Sequence, residues 1–392
     1  MADRLTTLVV YDEGLGMDWG PDHPYDRRRH RLTVALAREA GLLDRDGAAL
    51  EPGPDPMPDE ELERVFAPAF IRAIKRFSAD PLLASGWDAG QWGIDGDNGA
   101  FPGMHEASAR ICAASAAAAR AVAEGRATRS FAPTGGAHHG LANRVWGFGV
   151  YNDTAVAIDA ALAAGAERVA YVDLDVHHGN GTQAIFYDDP RVMTVSVHES
   201  GRYLFPGSGF PHETGGPGAE GTSVNVALPP FAGDDALRAA MTEIVAPVLR
   251  GFRPSLIVSQ CGIDTHHADP LSHLVTTMPL FPWLWSELRA LADELCEGRW
   301  VALAGGGYEP CSAPPRAWAL LLACQLGVTV EGDLPEGWRA AALAAGCPEP
   351  PRGWLEDRRP SLDADRAARA AAETEAAIAA SRAAVGGYWG LL

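Results

Sequence analysis

Residues 171–181, YVDLDVHHGNG, begin as an apolar run and end as a set of ionisable groups. Val169, Ala170, Tyr171 and Val172 read as a buried strand of a parallel sheet. Asp173, Asp175 and His177 then follow at alternate positions, which on an extended strand places them on one face. Three such groups at the end of a buried strand are costly unless something compensates them. A bound cation would do so, and Asp with neutral His suits a borderline metal such as Zn²⁺. The plainer alternative has Asp173 capping a following helix, with the histidines on a wet loop.

Other chemistry-bearing groups also follow expected strands. His138 and His139 follow residues 128–132, Asp264 follows 255–260, and Tyr308 follows the glycines after 299–304. Each alone has a bland reading as a solvated turn or a packing residue. Together they place His, Asp and Tyr at four strand ends, where open α/β sheets form their sites. Asp175, His177 and Asp264 would supply three ligands and leave a position for water or substrate. The metal would lower the pKa of its water and polarise a carbonyl. A neutral histidine of the 138/139 pair would take the proton and pass it to a leaving amine. Tyr308 would donate its hydroxyl to the developing oxyanion, on a loop whose glycines allow close approach. Such a set suits amide hydrolysis.

The elements that must position these groups alternate strand and helix along the chain. Strands are expected over residues 6–11, 128–132, 168–175, 192–197, 223–228, 255–260 and 299–304. Helices are expected over 32–40, 58–77, 106–124, 152–164, 234–249, 283–296, 314–326 and 362–384, with Asn152 and Asp153 as an N-cap. Residues 44–58 and 84–103 read as loops. The fold class expected is α/β, a single large domain with a mainly parallel central sheet covered by helices on both faces. Residues 1–330 would form the catalytic domain, and 331–392 an extension whose terminal helix packs on or beside it.

With 392 residues, 47% of them hydrophobic and 21% charged, the chain can bury a core that needs no disulfide staples. The six cysteines form no CxxC pair. Their scatter and the absence of a secretion signal point to a reducing, cytoplasmic setting. No apolar run of membrane-spanning length occurs. A net charge of −19 argues against nucleic acid and is compatible with a cationic or Lys-rich partner.

The motifs GGAHH, YVDLDVHHGNGTQ, VSVHESGRYLFPGSG, VSQCGIDTHHADPL and GGGY, in this order, resemble the histone deacetylase superfamily, and most closely its bacterial acetoin-utilization branch. The likeness spans about residues 8–325. It implies the arginase/deacetylase-like fold and a zinc-dependent deacetylase, with Fe²⁺ possible in place of Zn²⁺. Asp175, His177 and Asp264 would be the metal ligands, His139 the general base, and Asp173 the carboxylate that orients His138. Tyr308 would bind the substrate carbonyl. Phe148 and Phe205, with Gly147, would shape a narrow channel for a lysine-like chain, and Asp97 would hold the substrate backbone at its rim. Arg29 would line an internal channel for released acetate. Asp173, Asp175, His177, Ser196 and Val197 would surround a structural K⁺. The substrate would be an acetylated lysine on a protein, such as an acyl-CoA synthetase. The alternatives are an amidohydrolase of acetylpolyamines or other small acyl-amines, and a non-catalytic acyl-lysine binder.

Two departures bear on mechanism. Asn180 stands where many members of the superfamily carry Asp, so its side chain bears no charge to support a protonated His139. The binuclear manganese arginases, whose fold is similar, need carboxylates that Gly179 and His266 replace here. One catalytic metal is therefore expected, with His266 as a weak additional ligand at most.

Overall fold

In a computed structural model, which describes residues 5–358 and 361–391, eight strands form one sheet. They are β1 Leu5–Val10, β2 Ala48–Glu51, β3 Ala127–Ala132, β4 Val169–Asp173, β5 Val192–Glu199, β6 Ser223–Leu228, β7 Leu256–Gln260 and β8 Trp300–Leu303. Their spatial order is β2-β1-β3-β8-β7-β4-β5-β6, and every pairing is parallel. The carboxyl ends of all eight thus lie along one edge of the sheet. The four strands that precede the histidine pair, Tyr308, Asp264 and the Asp175–His177 pair are β3, β8, β7 and β4, which are consecutive in the sheet.

Both sheet faces are buried. In β4, Ala170 and Val172 face one hydrophobic cluster, while Val169 and Tyr171 face the other. The strand's near-continuous apolar run follows from this two-sided burial. One face is covered by helices that include Leu280–Cys296 and Ala313–Leu326, and the other by Pro68–Ala79, Met104–Ala123 and Asp153–Ala163. The Ala-rich sequence of Met104–Ala123 favours helix and lets it pack closely on Asp153–Ala163. Asn152 caps the latter by accepting from the Ala155 N–H at 2.8 Å.

Several expected boundaries differ. The helix expected over 58–77 is two helices, Asp59–Leu62 and Pro68–Ala79, because Pro68 starts a new helix rather than continuing one. The loop expected over 44–58 contains the edge strand β2. The loop expected over 84–103 contains a short helix, Gly86–Gly90. The helix expected over 234–249 is interrupted by a π-helical turn at Met241–Val245.

Beyond residue 330 a helix at Glu336–Ala344 buries Trp338, whose indole N–H donates to the Leu32 carbonyl at 2.9 Å. Cys347 then forms a disulfide with Cys311, 36 positions earlier. Sequence spacing held no sign of it, because the two residues come from separate elements. Asp357 accepts from His266 Nε2 at 3.1 Å, His267 Nε2 at 2.7 Å and the Met278 N–H at 2.6 Å. The last helix, Ala364–Trp389, lies along β6, where Ser381 donates to the Asn225 carbonyl at 2.6 Å. It covers what would otherwise be an open sheet edge. Among the described residues, no helix is long and apolar enough to cross a membrane.

Candidate active site

Strand β4 stops at Asp173, so the alternation expected as far as His177 does not continue. The chain turns instead on its own side chains. Asp173 Oδ1 accepts the Asp175 N–H at 3.2 Å, and Asp175 Oδ1 accepts the His177 N–H at 3.0 Å. Aspartate readily makes such local turns. The result still brings Asp175 and His177 together with Asp264. His177 Nδ1 lies 3.1 Å from Asp175 Oδ1 and 3.1 Å from Asp264 Oδ2.

These three groups are buried, and their ligand atoms lie within 4.8 Å of one another. Metal–ligand bonds of about 2 Å fit that span, and two close carboxylates with one imidazole form a donor set suited to Zn²⁺ or Fe²⁺. The electrostatics agree. Burial opposes charge on both carboxyls; His138 and His177 hold Asp175 well down, while burial and the charge of Asp175 push Asp264 well up. Burial also opposes charge on His177, yet Asp175 and Asp264 raise it to about 10. Positive charge beside the two carboxyls is therefore favoured. His266 does not join this group: it faces Asp357, with His267, in a separate cluster.

Further groups hold these side chains in place. Gln260, at the end of β7, donates to Asp175 Oδ2 at 2.6 Å, and the Gly306 N–H donates to the same oxygen at 2.8 Å. The Val176 N–H donates to Asp264 Oδ1 at 2.8 Å. A Cβ at Gly306 would stand 1.9 Å from Asp264 Oδ2, so only glycine lets the loop after β8 come this close.

His138 and His139 lie beside this group. His138 Nδ1 is 2.7 Å from Asp173 Oδ2, which also accepts from Tyr171 Oη at 2.8 Å. His139 Nδ1 is 2.7 Å from Asn180 Oδ1, and the two Nε2 atoms are 3.2 Å apart. Burial disfavours charge on both rings. For His138 the carboxylates of Asp173 and Asp175 outweigh burial and raise its pKa to about 9. For His139 burial, with the charges of His138 and His177, drives it well below 6.5. The pair is thus split into a charged and a neutral ring. Asp153, expected only as part of a helix cap, accepts from Ser115 Oγ at 2.6 Å and from the Gly136 and Ala137 N–H groups at 2.9 and 2.7 Å. It thereby anchors the turn that leads into His138.

Tyr308 follows Gly305–Gly307 and faces the same cavity. Burial and the nearby Asp175 and Asp264 raise its pKa well above 10, so the hydroxyl keeps its proton. The cavity is lined by His138, His139, Asp175, Phe148, Tyr308 and Arg29, among others. The Phe148 ring meets Tyr308 and His23 at centroid distances of 5.9 and 4.5 Å. The Phe205 ring meets His139 at 4.9 Å and His177 at 6.3 Å, and it stacks on Trp146 at 5.7 Å. Phe148 thus lies beside Tyr308, and Phe205 beside His139 and His177. Gly147 has φ +52°, and a Cβ there would meet the His139 ring at 2.4 Å.

Asp97 is exposed, and its carbonyl contacts His23 Nε2 at 3.1 Å. Its neighbour Asn98 accepts the Phe148 N–H at 2.9 Å, a contact that sequence did not suggest. Arg29 is buried, and its hydrogen-bond partners are neutral: the Gly307 carbonyl at 2.9 Å and His30 Nε2 at 3.3 Å. Ser196 pairs with Asp173 in register, and Val197 follows it in β5. His198 Nε2 faces the Gly209 carbonyl at 2.9 Å, so that nitrogen carries the proton and Nδ1 accepts from Ser196 Oγ at 2.8 Å.

Comparison with known proteins places these features in context. Residues 23–324 match the histone deacetylase domain family. The acetoin utilization protein AcuC of Bacillus subtilis (strain 168) is 37% identical over 317 residues, which is 81% of this chain and 81% of that protein. The Staphylococcus xylosus protein of the same name is 33% identical over 364 residues, 92% of this chain and 93% of that one. Among solved structures, the HDA15 HD domain superposes with a TM-score of 0.77 at 23% identity, covering 98% of this chain and 96% of that chain. This last likeness concerns the fold.

Proposed function

Because the chain belongs to the histone deacetylase family, we propose that this deacetylase removes acetyl groups from lysine side chains at the site between β3, β8, β7 and β4. The observation that carries this reading is one cavity lined together by His138, His139, Asp175, Tyr308, Phe148 and Arg29. Asp175, His177 and Asp264 hold a single Zn²⁺, or Fe²⁺ in its place. Bound there, the ion supplies Lewis acidity toward water and an amide carbonyl.

The chain's own residues do the rest. His139, kept neutral, takes the proton of the attacking water and returns it to the leaving amine. His138, held charged against Asp173, adds positive potential beside the reacting carbonyl. Tyr308 donates its hydroxyl as negative charge builds on that oxygen. Phe148 and Phe205 guide the aliphatic part of the lysine, helped by the bare backbone at Gly147, and the Asp97 carboxylate accepts from the substrate backbone at the rim.

Arg29, with neutral partners only, is suited to receive the carboxylate released behind Tyr308. Asp173, Asp175, His177, Ser196 and Val197 would surround a structural K⁺. Residues 1–330 act as the catalytic domain, and the remainder as an extension packed on it. The net charge of −19 favours cationic, Lys-rich partners.

Turnover of acetyl-lysine peptides, acetylpolyamines and longer acyl-lysine peptides tests this reading. Acetyl-lysine peptides are expected to have the highest kcat/KM. Faster turnover of acetylpolyamines would assign the site to small acyl-amines instead.

A further inference from the structure

The peptide group that joins Gly307 to Tyr308 is gripped at both poles. Arg29 Nη1 donates to its carbonyl oxygen at 2.9 Å, and Asp269 Oδ2 accepts its N–H at 2.6 Å. The second Asp269 oxygen accepts the Leu271 N–H at 3.0 Å. Asp269 is buried, and among the described residues it forms no ion pair. A buried carboxylate without a cationic partner is costly, so its position calls for a reason. Burial, with a smaller push from Asp175, raises its pKa to about 6 against the Tyr308 and Leu271 N–H groups and the charge of His177, in keeping with that cost.

The reason lies in the loop that it holds. Tyr308 follows three glycines, and Gly305 and Gly307 have φ +148° and +136°. Such a segment turns about its backbone at little cost, and nothing in its covalent structure aims the tyrosine. Fixing the plane of the Gly307–Tyr308 peptide fixes the direction in which the Tyr308 side chain leaves the backbone. Asp269 lies five residues after Asp264 on the loop that follows β7, so the same contact ties the tyrosine to the loop of a metal ligand.

We propose that Asp269 is a positioning residue for Tyr308: its carboxylate, opposite Arg29 on one peptide group, holds the tyrosine hydroxyl over the reacting carbonyl. This rests on the reading of Tyr308 as the donor to that carbonyl. Asp269 touches neither substrate nor metal in this role. Its effect on the reaction passes through Tyr308.

The test is a double-mutant cycle on the metal-loaded enzyme with an acetyl-lysine peptide: wild type, Asp269→Ala, Tyr308→Phe and the double variant. Asp269→Ala is expected to lower kcat by about 10- to 100-fold while KM changes less than about threefold, a fraction of what a lost oxyanion donor costs. In the Tyr308→Phe background the same change is expected to cost less than about threefold, since no hydroxyl remains to be aimed. An equal loss in both backgrounds would overturn the proposal and leave Asp269 a purely structural role. If Asp269→Ala does not fold, Asp269→Asn, which keeps one acceptor oxygen, enters the same cycle with the same criterion and a smaller expected loss. If Tyr308→Phe alone leaves kcat unchanged, the reading of Tyr308 itself fails, an outcome distinct from equal losses in a cycle where Tyr308→Phe is strongly impaired.

Discussion

His139 Nδ1 lies 2.7 Å from the amide oxygen of Asn180, so this nitrogen donates and Nε2 is left as the basic atom of the ring. The amide carries no charge and supports an imidazolium less than a carboxylate would. Asn180→Asp is therefore expected to raise the pKa of His139. A general base works only when deprotonated, so the acidic limb of the kcat/KM profile should move to higher pH, by about one unit for a partly screened charge. Steady-state rates across pH 5 to 9 check this, and an unmoved limb would remove Asn180 from control of the base.

Tyr308 keeps its proton because burial and two carboxylates oppose ionisation. Tyr308→Phe removes the donor and leaves the ring. The expected result is a fall in kcat of about 10²- to 10³-fold with little change in KM, since the bond strengthens only as charge develops on the carbonyl. Metal content and melting temperature should stay unchanged.

Gly306 packs against Asp264 and Asp175 with no room for a side chain: a Cβ would meet Asp264 Oδ2 at 1.9 Å and Asp175 Oδ2 at 2.7 Å. Its N–H also supports Asp175. Gly306→Ala is expected to weaken metal affinity by at least about tenfold, the scale on which outer-shell changes act. Competition against a chelating dye measures this without reference to activity.

The Asp357 clip makes a stability claim with a definite sign. Although burial opposes charge, its bonds to His266 and His267 hold its carboxyl well below the usual carboxylate range. A depressed folded pKa adds stability that is present above the unfolded value near 4 and is lost as pH falls below it. Asp357→Asn should therefore lower stability at pH 7 by about 2 kcal/mol, on the scale of hydrogen bonds to charged groups. The gap to wild type should narrow as pH drops below about 4. Urea unfolding at pH 7 and pH 3.5 reads both values.

Much of this site is legible in sequence because strand ends announce it. An apolar run that breaks into Asp, His or Gly marks where a buried strand meets the edge of the sheet, and β4, β7 and β8 do so. Their adjacency in the sheet is not legible, since strand order depends on how crossovers pack. The supporting groups left fainter signals. Gln260 is a polar residue closing a buried run, which could have been noticed. Asp153, Asp269 and Asn98 act on backbone N–H groups 16 or more positions away, and a backbone donor has no sequence identity to match. The edge strand β2 hid in a Gly/Asp-rich segment because it is short and only half-buried. Pro68 was visible, and its habit of opening a helix predicts the break that the structure has.

The central claim, metal-dependent hydrolysis of acetyl-lysine at Asp175, His177 and Asp264, is tested most directly by metal removal and return. Enzyme stripped by a chelator is assayed on an acetyl-lysine peptide before and after one equivalent of Zn²⁺ or Fe²⁺. The expected result is a loss of at least about 100-fold in kcat/KM, restored by one equivalent of metal and not restored in Asp264→Ala. Turnover that survives complete removal of metal would contradict it.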